Sequence, residues 1–136
     1  SGGIAIKGHI PERDGIWMGL VLFEYMAKSG KSLEELIEEV YGLVGAFKYW
    51  RDDLHIDEKV KNAIVKKCNK DQFKSFGNYT VQSIDKTDGF KFILSDDEWL
   101  MIRPSGTEPV LRCYAESKDL KGAKDILSAC KKEIGV

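Results

Sequence analysis

Residues 90–116 read FKFILSDDEWLMIRPSGTEPVLRCYAE, and this stretch decides the fold. Three runs rich in β-branched, aromatic and other apolar residues alternate with short polar segments, which is the pattern of consecutive antiparallel strands. These runs are residues 90–94, 99–102 and 110–116. Residues 79–84 form one more such run, and the Asp88-Gly89 pair that follows is typical of a hairpin turn. The stretch therefore predicts an antiparallel meander.

Helical patterns flank the meander. Residues 14–28 and a segment that starts at Ser32, where Glu35 completes a capping box, predict two helices. Residues 49–56 predict another strand, and Asp57 is placed to cap a third helix. The apolar faces expected on the second, third and last helices are Leu33, Leu36, Ile37, Val40, Val44 and Phe47; Val60, Ala63, Ile64 and Cys68; and Leu120, Ala123, Ile126, Leu127, Cys130 and Ile134. The fold class is α+β, an antiparallel four- to five-stranded sheet with helices on one face.

The first helix differs from the others because it is apolar nearly all round. Its segment IWMGLVLFEYMA, residues 16–27, contains Glu24 and is shorter than the about 20 residues that a membrane-spanning helix needs. It is therefore not expected to cross a membrane. A surface helix normally keeps one polar face, so this helix is expected to pack on more than one side.

Composition narrows the classes of partner. The 136 residues include 21 basic and 22 acidic side chains, for a net charge of −1, with no dense basic run. This balance argues against nucleic acid or an anionic membrane as a partner. Cys68, Cys113 and Cys130 fit no zinc or disulfide spacing, and the first residues lack the order of a signal peptide. Buried thiols and a cytoplasmic location are expected.

Two apparent signals carry little weight. Residues 30–32, GKS, look like the end of a phosphate-binding P-loop, but Tyr25 stands where that motif requires a glycine. They are better explained as the junction of two helices. His9 and His55 have no partner at metal-ligand or catalytic-triad spacing, so ordinary structural roles are expected for both.

The segment between the last two strands has the chemistry of an anion site. Arg103 and Arg112 supply planar, permanently charged forks of donors that match phosphate oxygens. Ser105 and Thr107 add hydroxyl groups, and Gly106 allows the backbone to turn its N–H groups inward as an anion nest. The alternative is a plain connection whose arginines pair with Glu108 and Glu116. A loop of seven residues, longer than the about two to five usual in a hairpin, favours the binding site.

Two segments carry a resemblance to a known family. RPSGTEPVLRCYAE, residues 103–116, resembles the C-terminal phosphate-binding loop and following strand of the α-D-phosphohexomutases, the phosphoglucomutase/phosphomannomutase superfamily. SGGIAIKGHIPERDGIWMGLVLFEYMAKSGKSLEEL, residues 1–36, is similar to the segment that leads from that family's sugar-binding loop into its fourth domain. The two segments occur in the family's order.

The resemblance implies a four-domain enzyme that moves phosphate between the 1 and 6 positions of a hexose through a bisphosphate intermediate. Residues 31–136 would form its fourth domain, similar in fold to the TATA-binding protein, and residues 1–30 the end of its third. Ser1 would occupy the serine position of the sugar-binding loop, although the glutamate expected before it is absent. The residues that match the family's phosphate contacts are Arg103, Ser105, Gly106, Thr107 and Arg112.

The resemblance also implies functional parts that this sequence does not contain. The family's phosphorylated catalytic serine belongs to its first domain, and its Mg²⁺-binding aspartate loop to its second. No catalytic residue and no metal ligand is therefore expected among these residues. We interpret the chain as a C-terminal fragment, inactive alone, whose partners are a phosphosugar and the other domains of the parent enzyme.

Two other classes of function remain open. A free-standing phosphate- or sugar-phosphate-binding module would keep the loop, but its first helix should then have a polar face. A nucleic-acid-binding sheet is suggested by fold analogy alone, which does not establish function.

Overall fold

The computed structural model describes residues 4–136, so Ser1 lies outside the described residues. The chain divides into two compact units, the first ending at Val44 and the second beginning at Gly45. The domain boundary expected from the sequence, at residue 30, lies inside this first unit. Within residues 4–136, no helix is long and apolar enough to span a bilayer.

Two consecutive helices dominate the first unit, α1 over Gly15–Ser29 and α2 over Leu33–Val44. The Asp14 carboxylate caps α1 by accepting a hydrogen bond of 2.9 Å from the backbone N–H of Trp17. Gly30 ends α1 in the left-handed region, with a φ of 68°. The GKS segment therefore joins two helix ends, as the sequence analysis predicted.

The second helix begins with the predicted capping box. The Ser32 hydroxyl accepts a hydrogen bond of 3.3 Å from the Glu35 N–H, and the Glu35 carboxylate accepts one of 2.7 Å from the Ser32 N–H. The helix ends at Val44, and Gly45 follows with a φ of 86°. Phe47 therefore lies beyond the helix, and its predicted place on the apolar stripe was wrong.

Helix α1 exposes its apolar side chains. None of its residues is buried, and Ile16, Leu20 and Phe23 are 83%, 63% and 70% exposed. These three residues share a face because they are four and three positions apart. The chain as described thus leaves an apolar helix face in contact with solvent.

The second unit is built on one antiparallel sheet. Its strands are β1 Lys48–His55, β4 Ser83–Asp85, β5 Phe90–Ser95, β6 Glu98–Pro104 and β7 Val110–Ser117. The sheet order is β1-β7-β6-β5-β4, so the last four strands form the predicted meander and β1 lies at the edge beside β7. A separate hairpin pairs β2, Ser75–Phe76, with β3, Tyr79–Thr80. The single strand predicted over 79–84 is therefore two short strands in different sheets.

Two helices, α3 over Glu58–Asn69 and α4 over Leu120–Ile134, pack with one face of the sheet in a single core. Alternating strand residues point into this core, and register pairs such as Phe92 with Leu100 face it together. The strand residues in this core are Phe90, Phe92, Leu94, Leu100, Ile102, Leu111, Cys113 and Ala115. The opposite sheet face is mixed: it carries charged side chains such as Arg103 and Arg112 together with Ile93, Trp99, Met101 and Tyr114. The predicted α+β class is confirmed.

The apolar stripes of α3 and α4 needed correction. On α3, Ile64 and Cys68 are buried as predicted, whereas Val60 and Ala63 are exposed and Lys61 is buried instead. On α4 the predicted stripe is buried except for Leu120, whose position in the first turn leaves it 41% exposed. Helical spacing therefore identified the stripes, but tertiary contact decided which members of each stripe are covered.

The three cysteines are free and completely buried, and all belong to the core. Burial raises the pKa of Cys68 to about 12. A hydrogen bond with Cys113, followed by burial, raises the pKa of Cys130. Because the thiolate is the reactive form, these thiols are inert in the folded chain.

We expect the native chain to react with an aromatic disulfide reagent at about pH 8 only through unfolding, since all three thiols are fully buried. In denaturant all three thiols should react within the mixing time. Absorbance of the released thiolate, followed with and without denaturant, gives both rates. Rapid reaction of even one native thiol would contradict the packing of the core.

Candidate functional site

The two arginines singled out by the sequence lie side by side on neighbouring strands. The register of β6 with β7 pairs Arg103 directly with Arg112. The adjacent pair of Ile102 with Cys113 faces the core, so the arginines point to the opposite, open face. Directly opposed residues have Cβ atoms about 4.5–5.5 Å apart. The fold thus places the two arginines as direct neighbours on the open face.

Each guanidinium has an exposed carboxylate as its partner. Arg103 contacts Asp88 at 3.1 Å, and Arg112 contacts Glu108 at 3.4 Å. In both pairs the carboxylate is exposed to solvent. Such exposed ion pairs contribute at most about 1 kcal/mol to the free energy of folding. Glu116, the other carboxylate considered from sequence, instead accepts a hydrogen bond of 2.9 Å from the Trp99 ring nitrogen. A phosphate could therefore replace the carboxylates at little cost.

The guanidinium groups retain donors for such a ligand. The Arg112 side chain is 33% exposed, and its Nε is buried without a hydrogen-bond partner among the described residues. The Arg103 side chain is 42% exposed. A guanidinium has five N–H donors, and a single carboxylate contact uses only part of that capacity. The two side chains can thus donate hydrogen bonds to further oxygen atoms.

The loop beside the arginines is shorter than predicted. Strand β6 continues through Pro104, so the connection to β7 is residues 105–109 rather than seven residues. Five residues is an ordinary hairpin length, so the length of this loop no longer supports a binding role. Arg103 consequently belongs to the rigid strand and not to the loop.

Inside the loop, Ser105 occupies the position where an anion nest was predicted. The buried Ser105 hydroxyl accepts hydrogen bonds from the N–H groups of Thr107 at 3.5 Å and Glu108 at 3.2 Å. Gly106 does not have a positive φ, and a Cβ added there would meet nothing within 4 Å. The loop itself therefore does not require a glycine, but Gly106 leaves its outer surface open to a ligand.

A buried residue that the sequence analysis did not single out lies behind this loop. The ammonium group of Lys61 donates to the backbone carbonyls of Ser105 at 3.2 Å and Glu108 at 3.0 Å. One signal for it was present, because Lys61 lies three and seven residues before Ile64 and Cys68. That spacing places a lysine on the buried stripe of α3.

A groove of about 420 Å³ adjoins the site on the side of Arg103. Gly89 forms part of its wall with a φ of 94°, and a Cβ there would meet the Arg103 side chain at 3.3 Å. The remaining lining residues are Val65, Asn69, Lys86, Asp88, Phe90 and Pro104. A larger groove of about 560 Å³, between Gly77–Tyr79 and α4, includes none of the predicted site residues.

The two histidines belong to different units: His9 lies in the first, and His55 ends β1 opposite Val110, where the loop meets β7. His9 donates a hydrogen bond of 3.1 Å from its Nε2 to the Asp14 carboxylate and stacks on Trp17 with ring centroids 4.0 Å apart. The bond from the Trp17 N–H, followed by that with His9, lowers the pKa of Asp14. His55 is exposed at the end of β1. Among residues 4–136, no three His, Cys, Asp or Glu side chains gather as a metal site.

Two family profiles match the chain. The profile described as "Phosphoglucomutase/phosphomannomutase, C-terminal domain" matches residues 52–132. The profile described as "Phosphoglucomutase/phosphomannomutase, alpha/beta/alpha domain III" matches residues 1–44, the same residues that form the first compact unit.

Individual relatives agree with these profiles. The "Phosphoglucomutase/phosphomannomutase" of Thermococcus kodakarensis is 32% identical over 127 residues, which cover 93% of this chain and 25% of that protein. The "Probable phosphoglucosamine mutase" of Methanobrevibacter smithii is 31% identical over 121 residues, covering 89% and 26%. The "Phosphoglucosamine/phosphogalactosamine mutase" of Sulfurisphaera tokodaii is 30% identical over 132 residues, covering 97% and 27%.

The chain thus spans about a quarter of the length of the curated relatives it matches. The resemblance stated from its two sequence segments is confirmed. Because the C-terminal-domain profile covers well over half of the chain, including both arginines and the loop between them, the chain belongs to the phosphoglucomutase/phosphomannomutase family.

Proposed function

We propose that this chain is the C-terminal part of a phosphohexomutase, in which the sheet unit binds the phosphate group of the sugar substrate. The parent enzyme would interconvert a hexose or hexosamine 1-phosphate and 6-phosphate through a bisphosphate intermediate. The observation that carries the proposal is the cross-strand pair of Arg103 and Arg112 beside the Ser105–Pro109 loop. That pair lies inside the segment matched by the family's C-terminal domain.

The proposed roles follow from the chemistry of each group. Arg103 and Arg112 exchange their contacts with Asp88 and Glu108 for phosphate oxygens, which are the stronger acceptors because they carry up to two charges. The Ser105 and Thr107 hydroxyl groups donate to the same phosphate, and so does the Gly106 N–H. None of these groups transfers a proton or attacks phosphorus.

Such a site accelerates the reaction by positioning its substrate. Charge-assisted hydrogen bonds contribute about 1.5–3 kcal/mol each where water is excluded, and several converging donors fix the orientation of the phosphate. The intermediate must be held, released to turn over, and held again. A charged clamp on a mobile domain suits that sequence of events.

The proposal also assigns the remaining parts of the parent enzyme. The phosphorylated serine and the Mg²⁺ ligands would belong to its first two domains, and the enzyme would work in the cytoplasm. Residues 1–44 would belong to the third domain, which moves the boundary expected at residue 30. The exposed apolar face of α1 supports this assignment, because the rest of that domain would cover it.

We expect the 136-residue chain to bind glucose 1-phosphate or glucose 6-phosphate weakly, with a Kd of about 1 mM, which corresponds to about −4 kcal/mol. Titration followed by amide NMR should move resonances within residues 103–112. Arg103→Ala should abolish binding because it removes one half of the clamp. Arg13→Ala removes the same charge from the first unit, where the Arg13 side chain is 59% exposed beside Glu12, and should retain binding. Resonances of 103–112 that stay fixed on titration would contradict the proposed site.

The chain alone should show no mutase activity in a coupled assay of glucose 6-phosphate formation, because phosphoryl transfer requires the serine and metal of other domains. The parent enzyme, assayed in parallel, is the positive control. In that enzyme Arg103→Ala should lower kcat/KM by about 100-fold or more through lost positioning. Turnover by the isolated chain would refute its interpretation as a substrate-binding part.

A further inference from the structure

A charged side chain is buried on the core side of the Ser105–Pro109 loop. Lys61, in the first turns of α3, is 6% exposed. Its Nζ lies 3.2 Å from the Ser105 carbonyl oxygen, 3.0 Å from the Glu108 carbonyl oxygen and 2.9 Å from the Glu58 carboxylate. An ammonium group has three N–H donors. All three therefore have acceptors within the protein, and none is left for a ligand.

The two carbonyl groups bonded by Lys61 lie at the two ends of the Ser105–Glu108 turn. One ammonium thus holds both ends of the turn to α3. The helix is itself fixed in the core by Ile64 and Cys68, which are buried three and seven residues further along. The loop is therefore attached from behind to a helix that belongs to the core.

This attachment also sets the direction of a donor. The Ser105 carbonyl and the Gly106 N–H belong to the same planar trans peptide, so they point in opposite directions. Because the carbonyl points inward to Lys61, the Gly106 N–H points outward. Among the described residues this N–H has no hydrogen-bond acceptor, and the space over Gly106 is open.

We propose that Lys61 is a positioning residue of the phosphate site, which it serves through the loop and without touching the ligand. It orients the Gly106 N–H toward the bound phosphate and fixes the turn that carries Ser105 and Thr107. The proposal rests on the proposed phosphate-binding function of this loop. Lys61 also places a positive charge behind the loop, where its ionic partner among residues 4–136 is the exposed Glu58 carboxylate.

The alternative is that Lys61 only stabilises the packing of α3 on the loop. Both roles predict a loss of stability on substitution, because two buried carbonyl groups lose their donor. Only the positioning role predicts weaker phosphate binding by a chain that remains folded. The matched control is Lys66, on the same helix and exposed, so that Lys66→Met changes the net charge equally.

The experiment compares wild type, Lys61→Met and Lys66→Met as ¹⁵N-labelled 136-residue chains titrated with inorganic phosphate. In Lys61→Met, resonances of β5 and β7 should stay in place, which shows that the sheet is folded, while those of residues 105–108 should move. Its Kd should rise about tenfold or more through misplacement of the loop. Lys66→Met should change the Kd by less than about twofold, because exposed charges are screened.

A second measurement needs no variant and decides the question where Lys61→Met fails to fold. The buried ammonium of Lys61 should give its own ¹⁵Nζ resonance in wild type, and phosphate should shift it together with the amide of Gly106. A ¹⁵Nζ resonance that stays fixed while the loop amides move would overturn the proposal.

The outcomes separate the two levels of inference. If phosphate shifts no resonance of residues 103–112 in the wild-type chain, both the phosphate site and the role of Lys61 are refuted. If the wild-type chain binds phosphate and the folded Lys61→Met chain binds it equally well, only the role of Lys61 is overturned.

Discussion

The pairing of β6 with β7 is the constraint on which the site depends. In this register Arg103 lies opposite Arg112, and the neighbouring pair of Ile102 with Cys113 faces the core. A slip of one residue would turn one strand's arginine into the core and its apolar residues into water. The burial of those apolar side chains therefore holds the two guanidinium groups together, although like charges at opposed positions repel each other. Core packing supplies the free energy that keeps the charged pair in place.

The charge on this pair is balanced locally but weakly. Asp88 and Glu108 reach the arginines from the two adjacent turns, and both carboxylates are mostly exposed to water. Exposed ion pairs are worth little, so the arginines stay available to a better acceptor without being left unpaired in its absence. The loop that completes the site is held from the core side by Lys61, whose donors are all used within the protein. In the proposed site the two kinds of cation would have different tasks: the arginines would face the phosphate, and Lys61 would support the loop backbone.

The sequence predicted well those features that depend only on residues close together in the chain. The capping box of Ser32 with Glu35, the turn at Gly30 and the cap at Asp57 all depend on residues within a few positions of one another. Predictions that depended on distant contacts were less accurate. The strand expected over 79–84 is divided because its two halves pair with different partners, β2 and β5. The loop was predicted too long because β7 provides partners for β6 as far as Pro104.

The sequence by itself determined the family, the α+β class and the identity of the candidate phosphate residues, because motif chemistry and residue periodicity can be read directly from the order of side chains. Only the tertiary structure decided that Arg103 and Arg112 are cross-strand neighbours, that the Ser105 hydroxyl holds the loop's N–H groups, and that Lys61 lies behind the loop. The reason is that strand register and the burial of a charge are set by contacts between residues far apart in the chain. Lys61 and Glu108 are separated by 47 positions, and they meet because α3 packs with the sheet in one core.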